Sequence, residues 1–118
     1  MPRSDLAQLD LSPRHLALLQ EILARHVPEA EVWAYGSRVH GTAHEGSDLD
    51  LVLRHPDDPA KDVANWPALQ EALQASQLPM LIELQLWNRV PAGFQPEIER
   101  SYVVVQGGRG RAGVPAAD

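Results

Sequence analysis

Gly36-Ser37, ten intervening residues, then Asp48-Leu49-Asp50 are the types and spacings in this sequence that can do chemistry. An apolar run, Glu31 to Tyr35, leads into a Gly-Ser turn whose backbone can approach a ligand closely. Two aspartates then stand at i and i+2 where a second apolar run, Leu49 to Arg54, begins. Residues two apart on a strand share a face, so Asp48 and Asp50 can hold one hard cation together. Leu49, Leu51 and Leu53 then point the other way, into a core. Either half of this pattern is common in turns and loop ends. A strand before it, a Gly-rich loop inside it and a strand after it make the whole specific. The chemistry it suits is metal-assisted transfer of a nucleotidyl group.

A third carboxylate, Glu83, interrupts the alternating segment Leu81-Ile82-Glu83-Leu84-Gln85-Leu86. A lone charge in an apolar strand is costly unless paired, metal-bound or turned to solvent at a sheet edge. If this strand lies beside Leu49–Arg54, then Asp48, Asp50 and Glu83 converge, and phosphate oxygens and water complete a magnesium shell. Ser37 can offer its hydroxyl and N–H to a phosphate as well as cap the short segment it opens, and Arg38 is a candidate phosphate contact that could as well lie in solvent. His40 and His44 flank Gly41, but five scattered histidines and no cysteine argue against zinc.

The elements that must position these groups follow from periodicity. Leu16, Leu19, Ile22, Leu23 and His26 predict a helix over Pro13 to Val27, with Ser12 as cap and Pro28 as stop. Strands are expected over Glu31–Tyr35, Leu49–Arg54 and Leu81–Leu86. A short helical segment is expected over Arg38–His40, and residues 42–47 read as loop. Pro67–Ser76 predicts a second amphipathic helix, capped by Asn65 or Trp66. Pro91–Tyr102 reads as a last helix carrying Phe94, Ile98 and Tyr102, followed by a short extended or buried Val103-Val104-Val105. Strands alternating with helices indicate an α/β (α+β) fold around a small mixed β-sheet packed by helices. The expected organisation is one domain over residues 1–106 and a flexible Gly/Arg-containing tail over 107–118.

Composition narrows the partners. The chain has 118 residues, 44% hydrophobic, and a formal net charge of −6. That balance offers no basic surface for a nucleic-acid backbone, so direct nucleic-acid binding is not expected. No apolar run spans a membrane, and Met1–Asp5 lacks the start of a signal peptide, so the expected location is cytoplasmic. A small phosphate ligand held by metal, or a protein partner, suits the acidic balance.

With these residues in place, Gly36-Ser37-x10-Asp48-x-Asp50 resembles the signature of the polymerase-beta-like nucleotidyltransferase superfamily. The small size is similar to its minimal nucleotidyltransferase branch, and the likeness runs from the first helix to Val105. The resemblance implies a polymerase-beta-like fold. It assigns Gly36 and Ser37 to the phosphate-binding turn, with Arg38 beside them, and Asp48 and Asp50 to the paired metal ligands. Glu83 falls where a third aspartate is usual, and His40 where an arginine is frequent. The implied cofactor is one or two Mg2+ ions, with ATP as substrate. Members of the branch commonly act as antitoxins paired with a HEPN-type ribonuclease toxin, transferring AMP onto a tyrosine of that partner. The resemblance therefore implies a protein adenylyltransferase antitoxin in a hetero-oligomer with its toxin. The alternative is a weakly catalytic or non-catalytic antitoxin that neutralises the toxin by occlusion.

Overall fold

The computed structural model describes residues 3–4, 8–41, 47–107 and 111–112, the first and last pairs through their backbone pairing alone. Helix α1, Pro13–His26, forms where Ser12 accepts from the His15 N–H at 3.3 Å and Pro13 presets the first turn. Its Leu19 and Leu23 are fully buried. Helix α3, Trp66–Gln74, begins after Asn65, which takes a left-handed φ of 68° and donates Nδ2 to the His26 carbonyl rather than capping with its side chain. It buries Leu69 and Leu73 beside α1.

Both helices cover one face of a six-stranded mixed sheet. Its strands are β1 (Arg3–Ser4), β2 (Glu31–Tyr35), β3 (Leu49–Arg54), β4 (Ile82–Leu86), β5 (Tyr102–Gly107) and β6 (Arg111–Ala112), ordered β1-β5-β2-β3-β4, with β6 pairing β5. β2 runs antiparallel to β3 and β5, whereas β3 and β4 are parallel. Parallel neighbours need a crossover, and α3 supplies it. The four-residue helix α2, Ser37–His40, fills the turn after β2. The opposite face carries a smaller cluster of Trp33, Val52, Trp87, Val90, Ile98 and Val104. Arg54 lies between its two tryptophans, 4.7 Å from the Trp33 ring and 5.2 Å from that of Trp87, and pairs with Glu31.

The C-terminal third departs from expectation. The last helix, α4, spans only Gln95–Arg100, after a 3₁₀ turn at Trp87–Arg89. Ser101 is already extended, at φ −158° and ψ 108°, so Tyr102 opens strand β5 instead of closing a helix. Three consecutive valines are stiff at χ1 and favour a strand over continued helix. The extended and buried reading of Val103-Val104-Val105 holds, and β5 sits inside the sheet between β1 and β2. Its Gln106 is buried, and Nε2 donates to the carbonyls of Val27 and Ala30, both at 2.9 Å. The first strand and the short β6 were not foreseen. Gly107 and Arg111, both assigned to a flexible tail, pair with each other. Residues 108–110 and 113–118 of that tail, and loop residues 42–46 with His44, lie outside the described residues.

Candidate active site

The sheet register builds the site. Tyr35 of β2 pairs with Asp50 of β3, and Asp50 pairs with Glu83 of β4. Neighbours across a sheet share a face, so these three form one row on the face away from α1 and α3. Asp48 lies just before β3 rather than within it, because the strand begins at Leu49, whose N–H donates to the Leu81 carbonyl at 2.9 Å. The expected alternation is borne out on both strands: Leu49, Leu51 and Leu53 are buried in the main core, while Glu83 and Gln85 are exposed. β4 is the sheet edge, so Glu83 is at once solvated and beside Asp50.

Gly36 shapes the approach to Asp50. Its φ of 86° and ψ of −156° belong to a region essentially restricted to glycine. A Cβ built there would collide with Asp50 Oδ2. The carboxylate therefore rests against bare backbone at the point where β2 turns into α2. Ser37 and His40 follow on α2, Ser37 half-buried and His40 exposed.

Arg38 is placed differently from a phosphate contact. It is only 7% exposed, and its guanidinium is spent on backbone: Nε and Nη2 donate to the Ser47 carbonyl at 3.2 and 3.0 Å, and Nη1 to the Asp10 carbonyl at 2.8 Å. An arginine drawn inward must satisfy its donors locally. Arg38 thus anchors the loop end that carries Asp48, acting as a clamp on the site rather than as a ligand within it.

The electrostatics record three carboxylates facing one another. Burial, then the charges of Asp48 and Glu83, push the Asp50 carboxyl above its ordinary range. The same environment, burial first and then Asp50 and Glu83, pushes the Tyr35 phenol up to about 12. Tyr35 is therefore a neutral hydroxyl at physiological pH. Among the described residues, no three His, Cys, Asp or Glu side chains are gathered closely enough to hold a metal ion between them. Asp50, with the charges of Asp48 and Glu83 bearing on it and bare glycine backbone beside it, belongs to an oxygen-only set of the chemistry that a hard divalent cation takes. Such donors fit magnesium, which keeps part of its shell for water and phosphate.

Beside this row is a cavity of about 420 Å3, bordered by Tyr35, Gly36, His40, Asp50, Phe94 and Glu97. Phe94 caps the start of α4 and Glu97 lies in its first turn, and Phe94 meets Tyr35 edge-on with ring centroids 6.2 Å apart. Nothing in their spacing marks them as site residues; only α4 folding back over the sheet brings them there. Trp87, which could have bordered the site from its position after β4, is instead buried against Trp33.

A family model described as "Nucleotidyltransferase domain" matches residues 16–104. The chain is also 39% identical over 103 residues to the probable protein adenylyltransferase MntA of Haemophilus influenzae, an alignment covering 87% of this chain and 89% of that protein.

Proposed function

The chain belongs to the nucleotidyltransferase domain family, in its minimal branch, and from that premise we propose that it is a metal-dependent protein adenylyltransferase. In this reading it moves AMP from ATP to a tyrosine hydroxyl of a HEPN-type ribonuclease toxin, for which it serves as the antitoxin. The observation that carries the reading is the row Tyr35–Asp50–Glu83, with Asp48 just before β3 and Gly36 against Asp50, beside a cavity that Tyr35, Gly36 and Asp50 line.

Each residue has a task in that reaction. Asp48 and Asp50 would hold the divalent ion, and Glu83 would add the third carboxylate from the sheet edge. A magnesium ion bound there supplies Lewis-acid stabilisation of phosphate charge and acidifies the acceptor hydroxyl. The Gly36-Ser37 turn brings backbone and hydroxyl close to the triphosphate, and Arg38 keeps Asp48 in place through the Ser47 carbonyl. The acceptor oxygen forms a bond to the α-phosphorus while the bond from that phosphorus to the α–β bridging oxygen breaks, and pyrophosphate leaves. The hydroxyl proton passes to the carboxylate cluster at Glu83, whose exposure on the edge strand puts it on the side open to a protein acceptor.

Intact-mass spectrometry of the co-expressed partner, after incubation with this protein, ATP and Mg2+, tests the reading. The expected result is a gain of one or more adenylyl masses that disappears with Asp48→Asn/Asp50→Asn. A stable complex with no mass gain would refute catalysis and leave neutralisation by occlusion.

A further inference from the structure

The cavity beside the carboxylates has a composition that metal and phosphate binding do not use. Besides Asp50 and Gly36, it is lined by Tyr35, His40, Gln85, Phe94, Glu97 and Ile98. Phe94 is the sole phenylalanine of the chain, yet it is 44% exposed, while most large apolar side chains are in the two cores. It is held at the cavity mouth by its edge contact with Tyr35. Among the described residues, no lysine or arginine lines the space, and two carboxylates do. Phosphate oxygens would be repelled there. A neutral, flat ring bearing amino donors would be favoured.

We propose that this cavity is the nucleobase subsite, with Phe94 and Tyr35 as its aromatic wall and Glu97 as the acceptor for the 6-amino group of adenine. The proposal rests on the adenylyltransferase reading above and specifies how its substrate is chosen. A nucleotide whose α-phosphate lies at Asp48 and Asp50 has its base one ribose away, and this cavity adjoins Asp50 directly. The volume of about 420 Å3 falls within the usual range for small-ligand sites. Glu97 Oε1 accepts from Arg100 Nη1 at 3.2 Å, which leaves its second carboxylate oxygen for a ligand donor.

Calorimetric titration of the full-length protein with Mg2+ tests the assignment. Three probes are used: an ATP analogue non-hydrolysable at the α–β bridge, the corresponding triphosphate of purine riboside, which lacks the 6-amino group, and inorganic tripolyphosphate. Phe94→Ala is expected to weaken the ATP analogue about tenfold and leave tripolyphosphate unchanged, while Phe94→Trp retains affinity. Glu97→Ala is expected to remove the preference for the ATP analogue over the purine riboside triphosphate. If Phe94→Ala leaves the ATP analogue unaffected, or weakens it and tripolyphosphate equally, the base is not bound there. An unchanged nucleotide affinity with a raised KM for the acceptor protein would reassign the aromatic wall to the acceptor ring. Failure of wild-type protein to bind either tripolyphosphate or the nucleotides would sink the adenylyltransferase reading itself, an outcome distinct from failure of the base subsite.

Discussion

Replacing Gly36 by alanine separates what this glycine does for the fold from what it does for the site. Its φ of 86° and ψ of −156° cost a residue with a Cβ about 1–3 kcal/mol. The new methyl also occupies the space of Asp50 Oδ2, so the carboxylate must leave its rotamer, at about 0.5–1.5 kcal/mol. Together these give about 2–4 kcal/mol, a large share of the roughly 5–15 kcal/mol that holds a domain of this size. The control is Gly41→Ala. Gly41 also has a positive φ, 81°, but a Cβ there meets nothing within 4 Å, so only the left-handed cost of about 1–2 kcal/mol applies. Urea melts should therefore rank Gly36→Ala below Gly41→Ala. AMP transfer per folded molecule should fall about a hundredfold in the first, because the carboxylate proposed to hold the metal has moved by a sizeable fraction of an ångström or more, and stay near wild type in the second. Combining Gly36→Ala with Asp50→Ala removes the displaced carboxylate, so a coupling of about 0.5–1.5 kcal/mol is expected in the double-mutant cycle. Equal transfer rates for the two glycine variants, or strict additivity in the cycle, would refute the close packing of Gly36 on Asp50.

Asp50→Asn should raise the metal-free melting temperature at pH 7 while abolishing transfer. The raised carboxyl pKa means the fold gains stability from protonated Asp50 at low pH and loses it as pH rises through the folded value, so the advantage of Asn should vanish in acid below 3.8. A lower melting temperature for this variant at pH 7 would contradict the electrostatic account. Spectrophotometric titration should find one tyrosine ionising near pH 12, and Asp50→Asn should bring it down. Arg38→Ala strands the Ser47 and Asp10 carbonyls and is expected to cost about 2–3 kcal/mol in urea melts, with transfer per folded molecule reduced because Asp48 loses its anchor. Gln106→Leu leaves two buried carbonyls, those of Val27 and Ala30, without this donor; a loss of about 1–3 kcal/mol with unchanged transfer per folded molecule is expected.

Much of the site was legible in the chain before any coordinates. Local sequence determines that Glu31–Tyr35 and Leu49–Arg54 are strands, that glycine follows the first, and that alternation turns Asp50 away from Leu49 and Leu51; these depend on backbone sterics and a two-residue period. The same locality explains the first helix, whose cap and proline lie within it. Other features needed the folded sheet. That β3 and β4 are parallel neighbours, and so put Glu83 beside Asp50, is a matter of strand pairing between residues 33 positions apart. Periodicity cannot report such a pairing. Arg38 looked like a phosphate ligand because its charge was visible and its burial was not; the Ser47 and Asp10 carbonyls that receive it become its neighbours only when the loop closes. Tyr102 carried the helical pattern one turn too far, since an aromatic at that spacing satisfies helix and strand alike and the sheet interior decided between them. Phe94 was legible only as part of a helical pattern, and nothing marked it or Glu97 as a site residue. Their place beside Asp50 comes from α4 packing over the open face, where burial of Ile98 against Trp33, Val52 and Val104 fixes the helix and delivers its neighbours to the cavity.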